Sequence, residues 1–369
     1  IDAVNKFDTV DFYIESPTYN HNATEIYFSL KYKNSFTGSD IYHTKRVNGV
    51  WTKPEKLSKL INSKNDETDP FISADGNFLF FARSVDITGG KNADCYRLYV
   101  SELKGEEWEL PALLPNPVNA GCERSPRLAP DGKTLYFSSL RNDEKTNYDL
   151  YYAKKITKNA WMSPVPIYTI NNTGYEIFPI NTHYGHKLYF LKGDDKGRKE
   201  SFKIYSAKLD FQFQAEKTVQ IHGKVSDLKS GKPLDARIHI TDPNTSIITC
   251  KSRTDDETGK YTIFLEKDRK YRIEVFNDNY SHYFFTYNTE GLSEFNKVEK
   301  NIELYPDIDL LVNVYDSEIF EPLKAGIKIY NAETDQLLGL NAEEIETGLY
   351  SLTLPIGSTY KIEAKNNHF

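Results

Sequence analysis

The chain has 369 residues, a formal net charge of −7 and 39% hydrophobic residues. This length is too great for one ordinary core and predicts two or three domains. The charge is spread without a basic stripe, which argues against nucleic acid as a partner, and no apolar run is long enough for a transmembrane segment. The 26 tyrosines and 21 phenylalanines lie in short alternating segments without helical periodicity, so the sequence predicts an all-β protein.

One sequence pattern recurs four times along residues 1–216. Each copy has an X-Pro step, an aromatic strand and an Ile-Tyr or Leu-Tyr pair, and the first three copies add a tryptophan followed by a proline. The prolines of the X-Pro steps are Pro17, Pro70, Pro126 and Pro179, which lie 53, 56 and 53 residues apart. A fixed period of this length, with several short strands per unit, predicts a β-propeller with four recognisable repeats. Residues 1–11 are interpreted as the tail of a preceding strand.

Polar residues also recur at fixed places in the repeats. An asparagine and a glutamate precede each of the last three X-Pro prolines: Asn62, Glu67, Asn119, Glu123, Asn171 and Glu176. We expect the glutamates to bind backbone amides of the adjacent blade rather than to form a cation-binding ring, because the first repeat has Ile14 at that position. Arg83, Arg141 and Lys192 recur after the second strands and predict either ordinary surface charge or a cationic rim that binds a carboxylate-bearing partner.

Two of the three cysteines occupy positions that permit a disulfide. Cys95 precedes the third strand of the second repeat and Cys122 precedes the first strand of the third repeat, and these strand starts lie on the same face of a propeller. A Cys95–Cys122 bridge would stabilise the fold by roughly 3 kcal/mol and would indicate an oxidising compartment. Two unpaired thiols are the alternative, and Cys250 is expected to pack as a small apolar side chain.

The second half of the chain is a tandem repeat. Moving residues 219–280 forward by 89 positions aligns them without gaps, for example Val225 with Val314 and Gly259 with Gly348. Apolar residues alternate along these segments, as a half-buried antiparallel sheet requires. We therefore assign one β-sandwich to residues 217–304 and a second to residues 305–369. The second copy ends at the position equivalent to Tyr280, so we expect it to be incomplete, with more protein following in the native gene.

Sequence motifs for catalysis are absent. The chain has no Gly-x-Ser-x-Gly, no phosphate-binding loop and no His-Glu-x-x-His. His183 and His186 share a turn without a third ligand, and Asp255, Asp256 and Glu257 lack the spacing of a calcium loop. The sequence thus predicts a non-enzymatic protein with no catalytic residue, no metal site and no cofactor.

Two family resemblances sharpen this interpretation. The segment from Ser125 to Tyr151, with Ser-Pro, Pro-Asp-Gly-Lys and Asp-Leu-Tyr, resembles the TolB-like propeller repeat. Each tandem unit resembles a carboxypeptidase regulatory-like domain, a prealbumin-like sandwich, through Ile221–Val225, Gly231–Leu234, Thr258–Tyr261 and Tyr271–Val275. The second unit departs from the pattern at Val312, where the first has Gly223.

The order of these domains resembles the middle of OmpA-family outer-membrane-associated proteins of Bacteroidota, some of which belong to the type IX secretion system. The resemblance implies a periplasmic scaffold, outer-membrane-associated or at the cell surface, that binds protein partners of the cell envelope through its propeller. Peptidoglycan would be bound by a domain outside this chain. The alternatives are a glycan- or peptide-binding surface module and an accessory region of a secreted peptidase.

Overall fold

A computed structural model describes residues 12–32, 38–47, 49–85, 95–141, 147–157, 159–182, 185–194, 201–245, 248–292, 296–355 and 358–366. Within these ranges the protein consists of β-strands and a short 3₁₀ turn, Phe211–Phe213, with no α-helix. The predicted all-β class is confirmed. The interpretation of residues 1–11 as a strand tail lies outside the described residues.

Four successive antiparallel sheets, S1 to S4, together form what we call the array. S1 contains β1 (Phe12–Tyr19), β2 (Glu25–Tyr32), β3 (Asp40–Val47), β4 (Val50–Trp51) and β5 (Glu55–Lys56). S2 contains β6 (Glu67–Ile72), β7 (Phe78–Ser84), β8 (Tyr96–Lys104), β9 (Glu107–Trp108) and β10 (Ala112–Leu113). S3 contains β11 (Glu123–Leu128), β12 (Thr134–Ser139), β13 (Asp149–Thr157), β14 (Ala160–Trp161) and β15 (Val165–Pro166). S4 contains β16 (Tyr175–Asn181), β17 (Lys187–Gly193) and β18 (Lys203–Lys208).

The sheets pack face to face in chain order, in a propeller-like arrangement. The first strand of each sheet is innermost, and β6 contacts both β1 and β11, while β11 contacts β16. Each seam between two sheets is an apolar cluster; Phe80 and Leu98 of S2, for example, pack against Phe137 and Trp161 of S3. In S4, by contrast, Ile204 is 77% exposed, whereas its equivalents in the other three sheets are fully buried.

Each innermost strand carries a bulge at its X-Pro step. The register against the second strand shifts there, and the residue before the proline adopts a positive φ of 52–55° in all four sheets: Ser16, Asp69, Ser125 and Phe178. This conformation costs a non-glycine residue on the order of 1–3 kcal/mol. Its recurrence shows that the surrounding packing stabilises the bulge in every sheet, where it turns one side chain toward the neighbouring inner strands.

Two pairs of packed sheets follow the array. In the first sheet pair, one sheet contains β19 (Thr218–Asp227), β22 (Lys260–Glu266), β25 (Asn296–Glu299) and β26 (Ile302–Leu304). The other contains β20 (Arg237–Thr241), β21 (Ile248–Arg253), β23 (Lys270–Phe276) and β24 (Tyr283–Asn288). Alternate apolar residues of both sheets, such as Ile221 and Ile273, form one core.

The second sheet pair repeats this plan over fewer strands. It consists of β27 (Asp307–Asn313), β30 (Leu349–Pro355) and β29 (Ala342–Glu346) in one sheet, and β28 (Gly326–Asn331) and β31 (Tyr360–Lys365) in the other. Four of these strands match β19, β20, β22 and β23 at the 89-residue offset. The remaining strand differs, because β21 pairs with β20 whereas β29 pairs with β30.

Candidate functional site

An ion pair between the buried Asp69 and the partly exposed Arg124 joins the inner strands of S1, S2 and S3. The carboxylate of Asp69 accepts hydrogen bonds from the Arg124 guanidinium at 2.9 and 3.1 Å, from Ser16 Oγ at 2.7 Å and from the N–H and Oγ of Ser125 at 2.9 Å. Burial raises the pKa of Asp69, but Arg124 outweighs it and holds the pKa at about 2. Because its oxygens already accept these bonds, Asp69 acts as a structural tie between sheets.

The charges that recur in the sequence pair within their own sheets. Glu67 binds Arg83 at 2.7 Å and Glu123 binds Arg141 at 3.1 Å. Both arginines also donate to linker carbonyls; Arg83, for instance, binds the carbonyl of Ile61 at 2.7 Å. The predicted rim cations therefore do not present free charge, and their role in partner binding stays a prediction.

The sequence predicts that these glutamates bind backbone amides of the adjacent blade, whereas the structure places their backbone contacts in the linkers. Glu67 accepts the N–H of Ser63 at 3.0 Å and Glu123 accepts that of Gly121 at 2.5 Å, so each binds the linker that enters its own sheet. Burial raises the pKa of Glu67 and Glu123, against the effect of these donors. Each glutamate thus holds the linker that enters its sheet close to the arginine at the end of the second strand.

Glu176, the third equivalent, has a weaker set of partners. Its side chain is fully buried, and Lys192 lies 3.6 Å away, where the other two sheets have arginines. Burial is the main cause that raises the pKa of Glu176 to about 7, and the nearby carboxylate of Asp149 adds to it.

The recurring asparagines bridge each linker to the third strand of the preceding sheet. Asn119 accepts the N–H of Leu98 at 2.8 Å and donates to the carbonyls of Leu98 and Leu114 at 2.9 and 2.7 Å. Asn62 and Asn171 make the same exchange with Ile41 and Leu150.

A disulfide links Cys95 to Cys122, with the two Cα atoms 4.7 Å apart. It joins the start of β8 in S2 to the residue before β11 in S3. Because antiparallel strands reverse direction, this bridge and the Glu–Arg pairs lie at one end of the array. The turns between the first and second strands lie at the opposite end.

Those turns dock onto the first sheet pair. Asn22 of S1 donates to the carbonyl of Arg253 at 2.7 Å, and Asn77 of S2 donates to that of Lys251 at 3.4 Å. Lys133 of S3 binds Glu266 at 2.7 Å. These contacts use equivalent turns, and Gly76 and Gly132 supply the positive φ that the Asp-Gly turns of S2 and S3 require.

A cleft of about 950 Å³ lies between these turns and the first sheet pair. Its apolar walls include Phe80 and Trp161 from the array and Phe264 and Tyr271 from the sheet pair. Aliphatic side chains at its mouth are strongly exposed: Leu110 at 74%, Leu113 at 51% and Ile156 at 67%. Clefts of this size between domains are common ligand sites, so this is the candidate functional site.

Charged groups in the cleft are of both signs. Lys133 bridges Glu216 at 3.8 Å and Glu266 at 2.7 Å, and Arg269 also binds Glu266 at 3.3 Å. Cys250 lines the wall, and burial raises the pKa of its thiol, which keeps it protonated at neutral pH. The arrangement offers apolar contact and paired charges, which suits binding of an amphipathic ligand.

Among the residues with described positions, no cluster of three or more histidine, cysteine, aspartate or glutamate side chains could hold a metal ion. In the same part of the chain no helix has the length and hydrophobicity to span a membrane. His183, one member of the histidine pair considered in the sequence, falls outside the described residues.

Comparisons with known proteins give only distant likenesses to solved structures. No family model and no curated protein matches the chain. Among solved structures, the putative TolB from Agrobacterium tumefaciens is 14% identical, with a TM-score of 0.33, over 55% of this chain and 79% of that one. An α-L-arabinanase from Penicillium chrysogenum, complexed with arabinobiose, is 12% identical, with a TM-score of 0.37, over 94% and 93%. Prolyl oligopeptidase B from Galerina marginata is 12% identical, with a TM-score of 0.35, over 63% and 32%. At these TM-scores the likenesses carry no argument about fold family or activity.

Proposed function

We propose that this chain is a non-enzymatic scaffold of the bacterial cell envelope that binds a protein partner in the cleft between the array and the first sheet pair. The array is then a TolB-like propeller, and the two sheet pairs are carboxypeptidase regulatory-like sandwiches with residues 217–304 and 305–369. The setting is the periplasm, associated with the outer membrane, in an OmpA-family protein that links a secretion or envelope complex to peptidoglycan through a domain outside this chain.

The exposed aliphatic mouth of the cleft is the observation that supports this proposal. Leu110, Leu113 and Ile156 extend into solvent beside an aromatic wall, which is costly unless a partner covers them. An extended protein segment can place apolar side chains between Phe80 and Phe264 while its backbone and charged groups meet Lys133 and Glu266. The disulfide at the other end of the array accords with an oxidising compartment.

Site-specific photo-crosslinking in the full-length protein tests the proposal. A photoreactive residue at Leu110 or Ile156 is expected to give one discrete crosslinked protein in cells, sequenced by mass spectrometry. The matched control positions are Val50 and Ile204, which are 70% and 77% exposed and lie outside the cleft.

Binding of the crosslinked partner must also depend on the side chains of the cleft. The L110S/I156S variant is expected to lose co-purification of the crosslinked partner, whereas V50S/I204S retains it. Equal crosslinking at all four positions, or a partner lost equally from both variants, contradicts partner binding in the cleft.

A further inference from the structure

A second concave surface lies on the first sheet pair, on the outer face of β22, β19 and β25. This groove has a volume of about 380 Å³ and is separate from the cleft. Residues from all three strands line it, so it is part of the sheet and not of a loop. Its charged and polar lining includes Lys224, Lys260, Lys297, Gln220, His222 and Glu299.

The floor of the groove is built by Gly223. A Cβ at this position would overlap the carbonyl oxygen of Lys300, because the chain crosses close to β19 between β25 and β26. Hydrogen bonds fix that crossing: the N–H of Lys300 donates to the carbonyl of His222 at 2.8 Å, and the hydroxyl of Tyr261 donates to that of Lys300 at 2.7 Å. The groove is therefore preformed.

Cations are concentrated around this floor although the chain as a whole carries a net charge of −7. Lys224 lies directly opposite Lys260 in the β19–β22 ladder, and Lys297 lies opposite Gln220 in the β19–β25 ladder. Within the described residues, no carboxylate oxygen lies within 4.0 Å of the Nζ atom of any of these three lysines. Like charges opposite each other on a sheet destabilise it, and a bound anion would relieve this repulsion.

The tandem copy shows that the β19–β22 ladder does not need Lys224 and Lys260. At the 89-residue offset, Lys224 becomes Asn313, Lys260 becomes Leu349 and His222 becomes Leu311. The strands β27 and β30 of the second sheet pair form the same ladder without them. The charge in the groove is thus a property added to the first sheet pair.

Polar groups and one carboxylate, that of Glu299, complete the lining, so three lysines face a single anion. Gln220 is 9% exposed, and its Oε1 is buried without a hydrogen-bond partner. A carboxylate or phosphate cannot donate to this oxygen, whereas a hydroxyl can. Thr262 offers a further hydroxyl and Glu299 a carboxylate that accepts from a hydroxyl donor, while the aromatic lining residue, Tyr261, is only 1% exposed and offers little ring surface.

We infer that this groove binds an acidic sugar, a hydroxyl-bearing ligand that carries a carboxylate or a phosphate. The lysines hold the oxyanion, and a sugar hydroxyl donates to Gln220. The inference stands independently of partner binding in the cleft, because the two sites share only Thr262 among their lining residues.

Ligand-observed NMR titration of the full chain tests the inference. The probes are trigalacturonate for the carboxylate, glucose 6-phosphate for the phosphate, and neutral maltotriose as a control ligand. At least one acidic sugar is expected to bind, more weakly at higher ionic strength. The K260Q/K297Q variant is expected to weaken binding by about tenfold. K229Q/K232Q, which removes the same charge from an exposed turn, is expected to leave it unchanged.

Preference for trigalacturonate or for glucose 6-phosphate supports the inference and identifies the oxyanion. Failure of both to bind, equal binding of maltotriose, or equal weakening by the two variants overturns it. A glutamate-rich peptide that binds more tightly than either sugar overturns the acidic-sugar class. Thermal unfolding of both variants establishes that they are folded.

Discussion

Replacement of Glu176 by glutamine is expected to change how the stability of the array depends on pH. Glu176 lies fully buried in the seam between S3 and S4, with Lys192 at 3.6 Å and Asp149 nearby. Burial of the charged form is the main reason that its pKa rises from 4.5 to about 7. The folded protein therefore binds this proton more tightly than the unfolded chain does.

The sign and size of the effect follow from this difference. The stabilising contribution of the Glu176 proton is fully present below pH 4.5 and is lost as the pH rises through 7. One pKa unit corresponds to about 1.4 kcal/mol, so the total loss is about 3 kcal/mol in the free energy of unfolding. Glutamine keeps the size of the side chain and removes the titration. The difference in stability between E176Q and the wild type should shift in favour of the variant by about 3 kcal/mol from pH 4 to pH 8.

Urea unfolding at a series of pH values, followed by tyrosine and tryptophan fluorescence, measures this difference. E107Q, at an exposed glutamate of β9, is the control and should run parallel to the wild type. Parallel curves for E176Q and the wild type over the same range would refute the reasoning, because they would show that Glu176 does not retain its proton in the folded state.

Two further predictions concern the ties between sheets. N119A removes the partner of two backbone groups, the N–H of Leu98 and the carbonyl of Leu114, since the carbonyl of Leu98 keeps the N–H of Leu114. It is expected to lower the free energy of unfolding by about 3 kcal/mol, whereas N159A, in an exposed turn, changes it little. Urea unfolding compares the two variants, and equal values contradict the bridging role. D69N leaves Arg124, whose side chain is 22% exposed, without its counter-charge and is expected to cost about 3 kcal/mol at pH 7. Because the pKa of Asp69 is lowered to about 2, this cost should shrink as the pH falls toward 2. Acid unfolding curves of D69N and the wild type that keep a constant separation would show that the charge of Asp69 is not the cause.

The repeats were enough to predict the sheets of the array. Strand alternation, the X-Pro steps and the Asp-Gly turns each recur with the same spacing, so one local rule applies to every sheet. The 89-residue offset likewise predicted four strands of the second sheet pair. It could not predict β29, because the choice between β28 and β30 as a neighbour depends on tertiary packing and not on strand propensity.

The sites were harder to predict than the sheets. Arg83 and Glu67 were each visible as recurring residues, but their pairing arises from a β6–β7 register that sequence spacing leaves open. The cleft brings Phe80 and Trp161 together with Phe264, which is distant in the chain, and no local signal marks such a surface. Asp69 could have been singled out, because a buried acid replaces serine at the X-Pro step there.

The docking of equivalent turns from S1, S2 and S3 onto one sheet pair also determines how mechanical force would pass through the chain. A pull applied beyond residue 304 would not be transmitted through the linker at residues 209–217 alone. It would act at once on the contacts of Asn22, Asn77 and Lys133, each anchored in a different sheet. Contacts loaded in parallel each carry part of the force. The first sheet pair is therefore coupled to the array as a stiff joint, suited to an element under tension.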